Sequence, residues 1–213
     1  YGVDPKKFRP TTKMREIIRK KLDVSDNDLI VLGVGRLVAK KGFRYLIEAV
    51  PKILKKCSDV SFVIVGDGNQ RGLLENLAKE KGVYDNFRFV GDVDYQKLKN
   101  YYNLADVFIL PSVRDEKGNL DDQSVSVVEA MACGKPVVTT DFPGYRIVVK
   151  EKENGFLVKE KKYDLIADAL IKIIGSRSLR SNMGKASRQL VLEKFSWKEI
   201  GRQYTQLFMT LVK

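Results

Sequence analysis

The sequence contains no histidine, and this absence excludes several kinds of chemistry at once. Without an imidazole the chain has no Ser-His-Asp triad, no histidine general base and no ordinary zinc site. Its two cysteines, Cys57 and Cys133, stand singly, without the paired spacing of a metal site or a disulfide framework. Because this usage is typical of a reduced protein, we expect a cytoplasmic localisation.

Long hydrophobic runs are missing as well. No apolar stretch approaches the roughly 20 residues that a membrane-spanning helix needs, and no signal peptide opens the 213-residue chain. The first residues, YGVDPKKFRP, begin abruptly, so we expect the chain to be part of a longer protein. With 44% hydrophobic residues it can bury one sizeable core, and two full-size domains are not expected.

Acidic residues are the scarcer charge. The chain has 27 Asp and Glu against 39 Lys and Arg, which gives a formal net charge of +12. The basic residues are scattered and form no arginine-rich tail or low-complexity arm. Scattered lysine is more often a solubility feature than a nucleic-acid footprint, so we expect no nucleic-acid partner. Part of the excess can still serve a ligand that carries phosphate.

Short apolar, β-branched runs alternate with amphipathic segments up to about residue 160. Such runs suit strands that are covered on both faces, and their alternation with helices predicts an α/β fold with a doubly wound parallel sheet. The predicted strands, about six, are 28–37, 60–68, 86–93, 105–112, 135–140 and 155–159. The last part of the chain predicts three helices, with Ser178 and Ser196 as N-caps.

Ligands of such sheets bind at the carboxyl ends of the strands, so the segments that follow strands are the candidates for a site. In GVGRLVAKKGF, at the end of the first predicted strand, Gly33, Gly35 and Ala39 weakly resemble a dinucleotide fingerprint. Arg36 and Lys41 argue against that interpretation, since a tight pyrophosphate turn normally leads straight into an apolar helix. The better interpretation is a diphosphate held partly by these two cations, and the alternative is two exposed cations in a loop.

Asp92 and Asp94 lie at the end of the third predicted strand as an Asp-x-Asp pair, an arrangement that can hold a cation. Asp94 directly precedes a predicted helix, however, and N-capping explains it more simply. We therefore predict no metal site.

The stretch DDQSVSVVEAMACG, residues 121–134, combines acids with a predicted helix that begins near Gln123 to Ser126. Free backbone N–H groups and the positive end of the dipole at such a terminus attract phosphate or sugar oxygens. Glu129 lies one to two turns into a helix that is otherwise apolar and small, so we expect a specific partner for its carboxylate. The alternative is a partly exposed glutamate after an ordinary acidic loop.

Taken in order, these segments resemble a known family. GVGRLVAKKGFRYLIEA, VIVGDG, FVGDVDYQKLKNYYNLADVFILPS, EAMACGKPVVTTDFPGYRIVV, ENGFLV and FSWKEIGRQY together look like the C-terminal half of the retaining GT-B glycosyltransferases of the group 1, family 4 type. The resemblance covers almost the whole chain, but it gives almost no information about which sugar is transferred. It implies a Rossmann-like donor-binding domain over residues 1–195. It also implies a last helix, 196–213, that crosses back to an N-terminal acceptor domain outside this chain.

The resemblance also implies roles for single residues. Arg36 and Lys41, in the loop of Gly35, match the basic pair that contacts the donor diphosphate. Glu129 matches the glutamate that binds the ribose hydroxyls of the nucleotide. Other positions match the loop whose N–H groups meet the donor phosphate and sugar, namely Gln123, Ser124 and Val125, or the place where the base is cradled, namely Val93 and Leu98.

Asp121 stands eight residues before Glu129, where the family carries another glutamate that orients a hydroxyl of the transferred sugar. Its stem is one methylene shorter, so its reach falls by about 1.5 Å, the length of one single bond. The residues DQS that follow replace a more usual glycine-containing segment. Because the loop before it, RDEKGNL, is long and acidic, Glu116 and Asp122 are alternative carriers of the sugar-binding carboxylate.

The implied function is transfer of a sugar from a UDP- or GDP-sugar to a glycan or lipid-linked acceptor, with retention of configuration and without metal or cofactor. The two cations would stabilise the departing diphosphate, which can itself take the acceptor's proton, so the lack of histidine is no obstacle. This chain alone is expected to be inactive. A peripheral contact with the membrane is compatible with the function of the full-length enzyme.

Three alternatives stay open. One is a nucleotide-sugar epimerase of the same fold, and another is a nucleotide-binding module without transferase activity. A dinucleotide dehydrogenase is more distant, because Arg36 and Lys41 crowd the turn and no partner catalytic residue is evident.

Overall fold

The computed structural model describes residues 2–116, 118–121 and 123–211. Within this part of the chain, six parallel strands form one sheet in the order β3-β2-β1-β4-β5-β6. The order reverses between β1 and β4, which is the doubly wound, Rossmann-like arrangement that the alternating pattern predicts. The strands are β1 (Leu29–Val34), β2 (Val60–Val65), β3 (Phe87–Gly91), β4 (Val107–Leu110), β5 (Val137–Thr140) and β6 (Gly155–Val158).

Each crossover between successive strands contains a helix, and further helices precede β1 and follow β6. The helix α7 packs against α2, and α8 packs against α5. The helices are α1 (Arg15–Lys21), α2 (Phe43–Leu54), α3 (Arg71–Glu80), α4 (Tyr95–Leu104), α5 (Val125–Ala132), α6 (Pro143–Val148), α7 (Tyr163–Ile174), α8 (Arg177–Leu190) and α9 (Trp197–Leu211). The three helices predicted after residue 160 are therefore confirmed, whereas α1 was not predicted.

The core consists of the sheet and the apolar faces of the helices on it. Every residue of β2, β4 and β5 is buried, as their near-continuous apolar sequences predict for strands covered on both faces. The α2 helix contributes a stripe of buried residues at helical spacing, which includes Leu46, Val50 and Ile53. These packed elements form the rigid support for the loops at the sheet's carboxyl edge.

Gly42 determines how the chain enters α2. Its φ angle is +70°, in the left-handed region, and a Cβ here would lie 1.9 Å from the carbonyl oxygen of Pro111. The amide of Val113 also donates to the carbonyl of Lys40 at 2.8 Å. The loop after β1 therefore lies directly against the segment that follows β4.

The helix ends correct one predicted cap and confirm two others. Ser178 is not the N-cap of α8, because Ser176 takes this place and its hydroxyl accepts a hydrogen bond from the Leu179 amide at 3.2 Å. Ser196 does cap the last helix, through a bond from the Glu199 amide at 3.2 Å. Asp94 caps α4 as predicted. Residues Val191–Phe195, predicted as part of α8, form a separate π-helical turn.

A cluster of charged side chains ties α1 to the amino ends of the central strands. Asp106, just before β4, accepts two hydrogen bonds from Arg15, at 2.9 and 3.0 Å, and one from the Ile30 amide at 2.9 Å. Next to it, the Lys135 ammonium donates to the carbonyl of Ala105 at 2.8 Å. Burial lowers the pKa of Lys135 to about 8. This cluster lies at the sheet edge opposite the carboxyl ends.

The last helix, α9, buries none of its residues. Tyr204, Leu207 and Phe208 leave more than half of their surface exposed, up to 61% for Phe208. Among the residues described, no helix is both long and apolar enough to cross a membrane. The predicted division into residues 1–195 and a crossing helix 196–213 stays a prediction.

Candidate functional site

A cleft of about 380 Å³ opens at the carboxyl ends of β1 and β4, where the strand order reverses. Loops after these two strands, together with α4 and the start of α5, contribute its walls. All but two of the predicted site residues line it, the exceptions being Val93 and Gln123. The lining residues are Val34, Gly35, Arg36, Lys40, Lys41, Tyr95, Leu98, Tyr102, Asp121, Ser124, Val125, Ser126 and Glu129.

The loop after β1 is bound to the end of β2 and presents the predicted cations to the cleft. The amide of Gly35 donates to the Val65 carbonyl at 3.0 Å, which continues the β1–β2 pairing by one residue. Arg36 is exposed, and within the described part of the chain it forms no ion pair. Lys41 lies in a short 3₁₀ turn and is only 12% exposed. The two cations therefore face the cleft from very different environments.

Lys41 and Asp121 form an ion pair in the cleft wall. The Lys41 ammonium lies 2.5 Å from Oδ2 of Asp121, whose side chain is 19% exposed, and 3.3 Å from the Ser124 hydroxyl. The main-chain carbonyl of Asp121 accepts a hydrogen bond from the Tyr145 hydroxyl at 2.9 Å. Asp121 is thus held at both its side chain and its main chain, which its position in a loop does not predict.

The N-terminus of α5 opens onto the same cleft. Ser124 is the N-cap, but its hydroxyl makes no capping bond and instead contacts the Ser126 hydroxyl at 2.8 Å. The N–H groups of the first turn therefore have no partner from the cap side chain. Such groups, with the positive end of the helix dipole, suit an anionic oxygen. Val125, the first helical residue, confirms the predicted start of the helix.

Glu129 is buried, with 3% of its surface exposed, which makes the alternative of a partly exposed helix glutamate wrong. Its Oε2 accepts a hydrogen bond from the Tyr102 hydroxyl at 2.6 Å, so the predicted specific partner exists. Burial raises the pKa of Glu129, while the hydroxyls of Tyr102 and Tyr95 and the charge of Lys7 act in the opposite direction. Burial, followed by the charge of Glu129, also raises the pKa of Tyr102 well above its usual value.

The N-terminal segment supports this side of the cleft. Phe8 is fully buried and packs edge-on against Tyr102, with 5.8 Å between ring centroids. The Lys7 ammonium lies 3.6 Å from the centroid of the Tyr95 ring. Sequence reasoning missed Lys7, Tyr95 and Tyr102. The sequence signal that could have found the two tyrosines is their seven-residue spacing, which places them on one face of α4.

Several predicted positions lie elsewhere. Val93 is partly buried against the core just before α4, and Gln123 lines a smaller cavity of about 100 Å³ beside α6. Glu116 lines a third cavity, of about 360 Å³. Asp122 lies outside the described residues. Asp92 is exposed, and in residues 2–116, 118–121 and 123–211 no three His, Cys, Asp or Glu side chains converge as metal ligands would.

Fold and cleft together define a Rossmann-like domain of the kind that forms one half of a GT-B enzyme. The family described as glycosyl transferases group 1 matches residues 14–190, and the chain belongs to this family. The predicted resemblance to the group 1 glycosyltransferases and the predicted fold class are therefore confirmed.

Two curated relatives extend over nearly all of the chain. It is 34% identical over 209 residues to an uncharacterized glycosyltransferase of Methanocaldococcus jannaschii, covering 97% of this chain and 52% of the relative. It is 32% identical over 212 residues to the GDP-mannose-dependent monoacylated alpha-(1-6)-phosphatidylinositol monomannoside mannosyltransferase of Corynebacterium glutamicum, covering 98% and 55%. The chain thus spans about half the length of the curated relatives it matches.

A solved structure agrees with this assignment. The sucrose-phosphate synthase from Thermosynechococcus elongatus superposes with a TM-score of 0.83 at 29% identity. The alignment covers 99% of this chain and 51% of the synthase. The Rossmann-like architecture is therefore shared over the full length of the chain.

Proposed function

We propose that this chain is the donor-binding half of a retaining glycosyltransferase and that it binds a nucleotide-sugar in the cleft at the carboxyl ends of β1 and β4. One observation carries the proposal. Arg36 and Lys41, from the loop after β1, and Asp121 and Glu129, from the stretch that leads into α5, converge on a single cleft. A diphosphate needs cations and free N–H groups, and sugars need carboxylates that accept from hydroxyls.

The side chains on each wall of the cleft indicate which part of the donor binds there. The diphosphate lies between Arg36, Lys41 and the α5 N-terminus, where positive charge is concentrated. The two ribose hydroxyls donate to the Glu129 carboxylate, which Tyr102 holds in place. The base extends toward Tyr95 and Leu98, which line the cleft. The Asp121 carboxylate accepts from a hydroxyl of the transferred sugar.

The transfer step needs little chemistry from this half of the enzyme. The bond between the anomeric carbon and the phosphate oxygen breaks, and its electron pair leaves with the nucleoside diphosphate. The acceptor oxygen forms the new bond on the same face of the sugar, and its proton passes to the departing phosphate oxygen. Arg36 and Lys41 stabilise the charge that develops on the diphosphate, so their contribution grows toward the transition state. No metal takes part.

The relatives support a sugar nucleotide as donor, because one of them is named for its dependence on GDP-mannose. They also support a second domain, since this chain covers about half of their length. We propose that the second domain binds a glycan or lipid-linked acceptor and that the exposed face of α9 packs on it. The full enzyme would work in the cytoplasm, with the option of a peripheral contact to the membrane.

Calorimetric titration of this chain with UDP, GDP, UDP-glucose and GDP-mannose tests the proposal. At least one nucleoside diphosphate should bind, and no glycoside should form when the chain is incubated with the matching sugar nucleotide and a mixture of sugar acceptors. Failure of all four ligands to bind would contradict the proposed nucleotide-sugar site. Glycoside formed by this chain alone, above a control without protein, would contradict the need for an acceptor domain.

A further inference from the structure

Tyr145 connects the packed sheet to the loop that carries Asp121. Tyr145 lies in α6 and is fully buried. Asp121 lies in the loop that follows β4, and most of this loop is partly or fully exposed. The Tyr145 hydroxyl contacts, among the described residues, the Asp121 carbonyl at 2.9 Å and the Ser112 hydroxyl at 3.0 Å. The ring also lines the smaller cavity beside the cleft and not the cleft itself.

The direction of these hydrogen bonds follows from the number of protons. A carbonyl can only accept, so the single phenolic proton of Tyr145 goes to Asp121. The Ser112 hydroxyl must then donate to the phenolic oxygen. The Ser112 carbonyl in turn accepts from the Thr140 hydroxyl at 2.6 Å. A chain of three hydrogen bonds thus runs from the end of β5, through the end of β4, to the main chain of Asp121.

Packing alone does not account for the phenol. A phenylalanine ring would fill the same volume, whereas a buried hydroxyl carries a desolvation cost that only well-formed hydrogen bonds offset. Tyr145 forms such bonds with Ser112, which lies just after β4 and accepts a hydrogen bond from Thr140 of β5, and with Asp121 farther along the same loop. The hydroxyl therefore serves to hold the loop at a fixed distance from the sheet.

We propose that Tyr145 is a positioning residue, which places the Asp121 carboxylate for its contact with the donor sugar. Tyr145 has this role only if the chain binds a nucleotide-sugar as proposed above. Asp121 is anchored through its main chain by Tyr145 and through its side chain by Lys41. The short aspartate stem leaves little freedom to correct a shift of the main chain, and misplacement by about 1 Å can cost on the order of a hundredfold in rate.

The test is Tyr145→Phe, which removes the hydroxyl and keeps the ring. Binding of UDP, GDP, UDP-glucose and GDP-mannose is measured by calorimetry on the wild-type chain and on the variant. The affinity for the nucleoside diphosphate should stay within a factor of about two, while the affinity for the matching nucleotide-sugar should fall about tenfold. A role in stability alone would not separate the two ligands.

Two other tyrosines provide matched comparisons. Tyr102→Phe removes the hydroxyl that holds Glu129 and should weaken the nucleoside diphosphate and the nucleotide-sugar by the same factor. Tyr101→Phe removes a phenol on the same helix that does not line the cleft, and it should change neither affinity. Each tyrosine is thus expected to give a different pattern with the two ligands.

If Tyr145→Phe does not fold, as judged by thermal denaturation, Ser112→Ala replaces it, because Ser112 orients the phenol from the side of the sheet. It should show the same selective loss in a weaker form. Equal losses for both ligands, or no loss at all, would overturn the positioning role. A wild-type chain that binds none of the four ligands would overturn the proposed function, and the role of Tyr145 with it.

Discussion

The Lys41 ammonium lies 2.5 Å from Oδ2 of Asp121, so the cation predicted to hold the diphosphate is paired with the carboxylate predicted to hold the sugar. Both side chains are sheltered, which makes the attraction stronger than in a surface pair. The pair places Lys41 at the cleft before any ligand arrives. A diphosphate entering the cleft therefore meets a cation that is already oriented but partly neutralised.

The first prediction concerns the charge of Asp121. From the sequence alone Asp121 should act on the sugar and leave the bare nucleotide unaffected, but the ion pair gives it an effect on both. Asp121→Asn should tighten binding of the nucleoside diphosphate by about three- to tenfold, since it removes a negative charge near the phosphates. The affinity for the nucleotide-sugar should stay unchanged or fall, because the loss of its carboxylate contact, worth about tenfold, offsets this gain.

Calorimetry at constant ionic strength measures both affinities. Asp168→Asn, on the exposed surface of α7, serves as the control with the same charge change. Equal changes for Asp121→Asn and Asp168→Asn would show that the pair with Lys41 has no bearing on the site.

The second prediction compares the two cations. Lys41→Ala and Arg36→Ala should each weaken the nucleoside diphosphate more than the nucleoside, by about 1.5–3 kcal/mol for a sheltered charge-assisted contact. Lys41 should lie at the upper end, because its side chain is mostly buried and its removal also leaves Asp121 without its partner. Arg36 should lie at or below the lower end, because it is exposed.

Titrations with nucleoside and nucleoside diphosphate separate these effects. Arg44→Ala changes an exposed cation on α2 that pairs with Glu48, and it should alter neither affinity. If nucleoside and nucleoside diphosphate weaken equally, the two cations do not contact the phosphates.

The third prediction concerns Glu129, whose pKa is raised by burial. An acid with a raised pKa in the folded state contributes stability below its unfolded pKa and loses that contribution as the pH rises. At neutral pH the charged, buried carboxylate is therefore costly, and Glu129→Gln should raise the melting temperature there. The difference should shrink as the pH falls toward about 4.

The same variant should bind the nucleoside diphosphate about tenfold more weakly, because an amide loses the charge-assisted part of the hydrogen bonds to ribose. Higher stability with weaker binding is the expected signature of a residue kept for its ligand. Glu80→Gln, at an exposed carboxylate, should leave both quantities unchanged. A Glu129→Gln chain that is less stable than wild type at neutral pH would contradict the burial argument.

The fourth prediction uses Lys135, whose pKa falls from 10.5 to about 8 on burial. A base with a lowered folded pKa has its full stability above its unfolded pKa and loses stability as the pH falls toward the folded value. Between about pH 8 and 10 the wild type should gain about 1 kcal/mol per pH unit relative to Lys135→Met.

Urea denaturation at several pH values in this range measures the difference. The variant should be less stable overall, because the Ala105 carbonyl loses its donor. Lys13→Met, at an exposed lysine, should follow the wild type at every pH. A constant gap between wild type and Lys135→Met would mean that Lys135 titrates as an ordinary lysine.

Local sequence signals were sufficient for the sheet and for most of the cleft. Continuous apolar runs mark the buried strands, and the rule that ligands bind at their carboxyl ends brings Arg36, Lys41 and Glu129 together without coordinates. Asp94 was predictable as a cap because capping depends only on the next few residues. Each of these features is encoded within a short window of sequence.

Features that depend on distant contacts escaped prediction. The seven residues of α1 are too few to be stable alone, and Arg15 anchors them to Asp106 across the fold. The π-helical turn after α8 has no distinct composition in VLEKF. Tyr145 reads as an ordinary core residue of a short helix, since nothing nearby in sequence indicates that its hydroxyl reaches the Asp121 carbonyl.

The Asp106 cluster and the cleft lie at opposite ends of the strands, so substitutions at one need not affect the other. Arg15, Asp106 and Lys135 secure the amino edge of the sheet, while the cleft lies past the other ends of the strands, roughly 15–20 Å away at about 3.3 Å per strand residue. Effects of substitutions so far apart, with no shared partner, usually add. Substitutions at the cleft can therefore alter specificity with little effect on the fold. If they do lower the stability of the protein, stabilising substitutions at the amino edge can offset that loss.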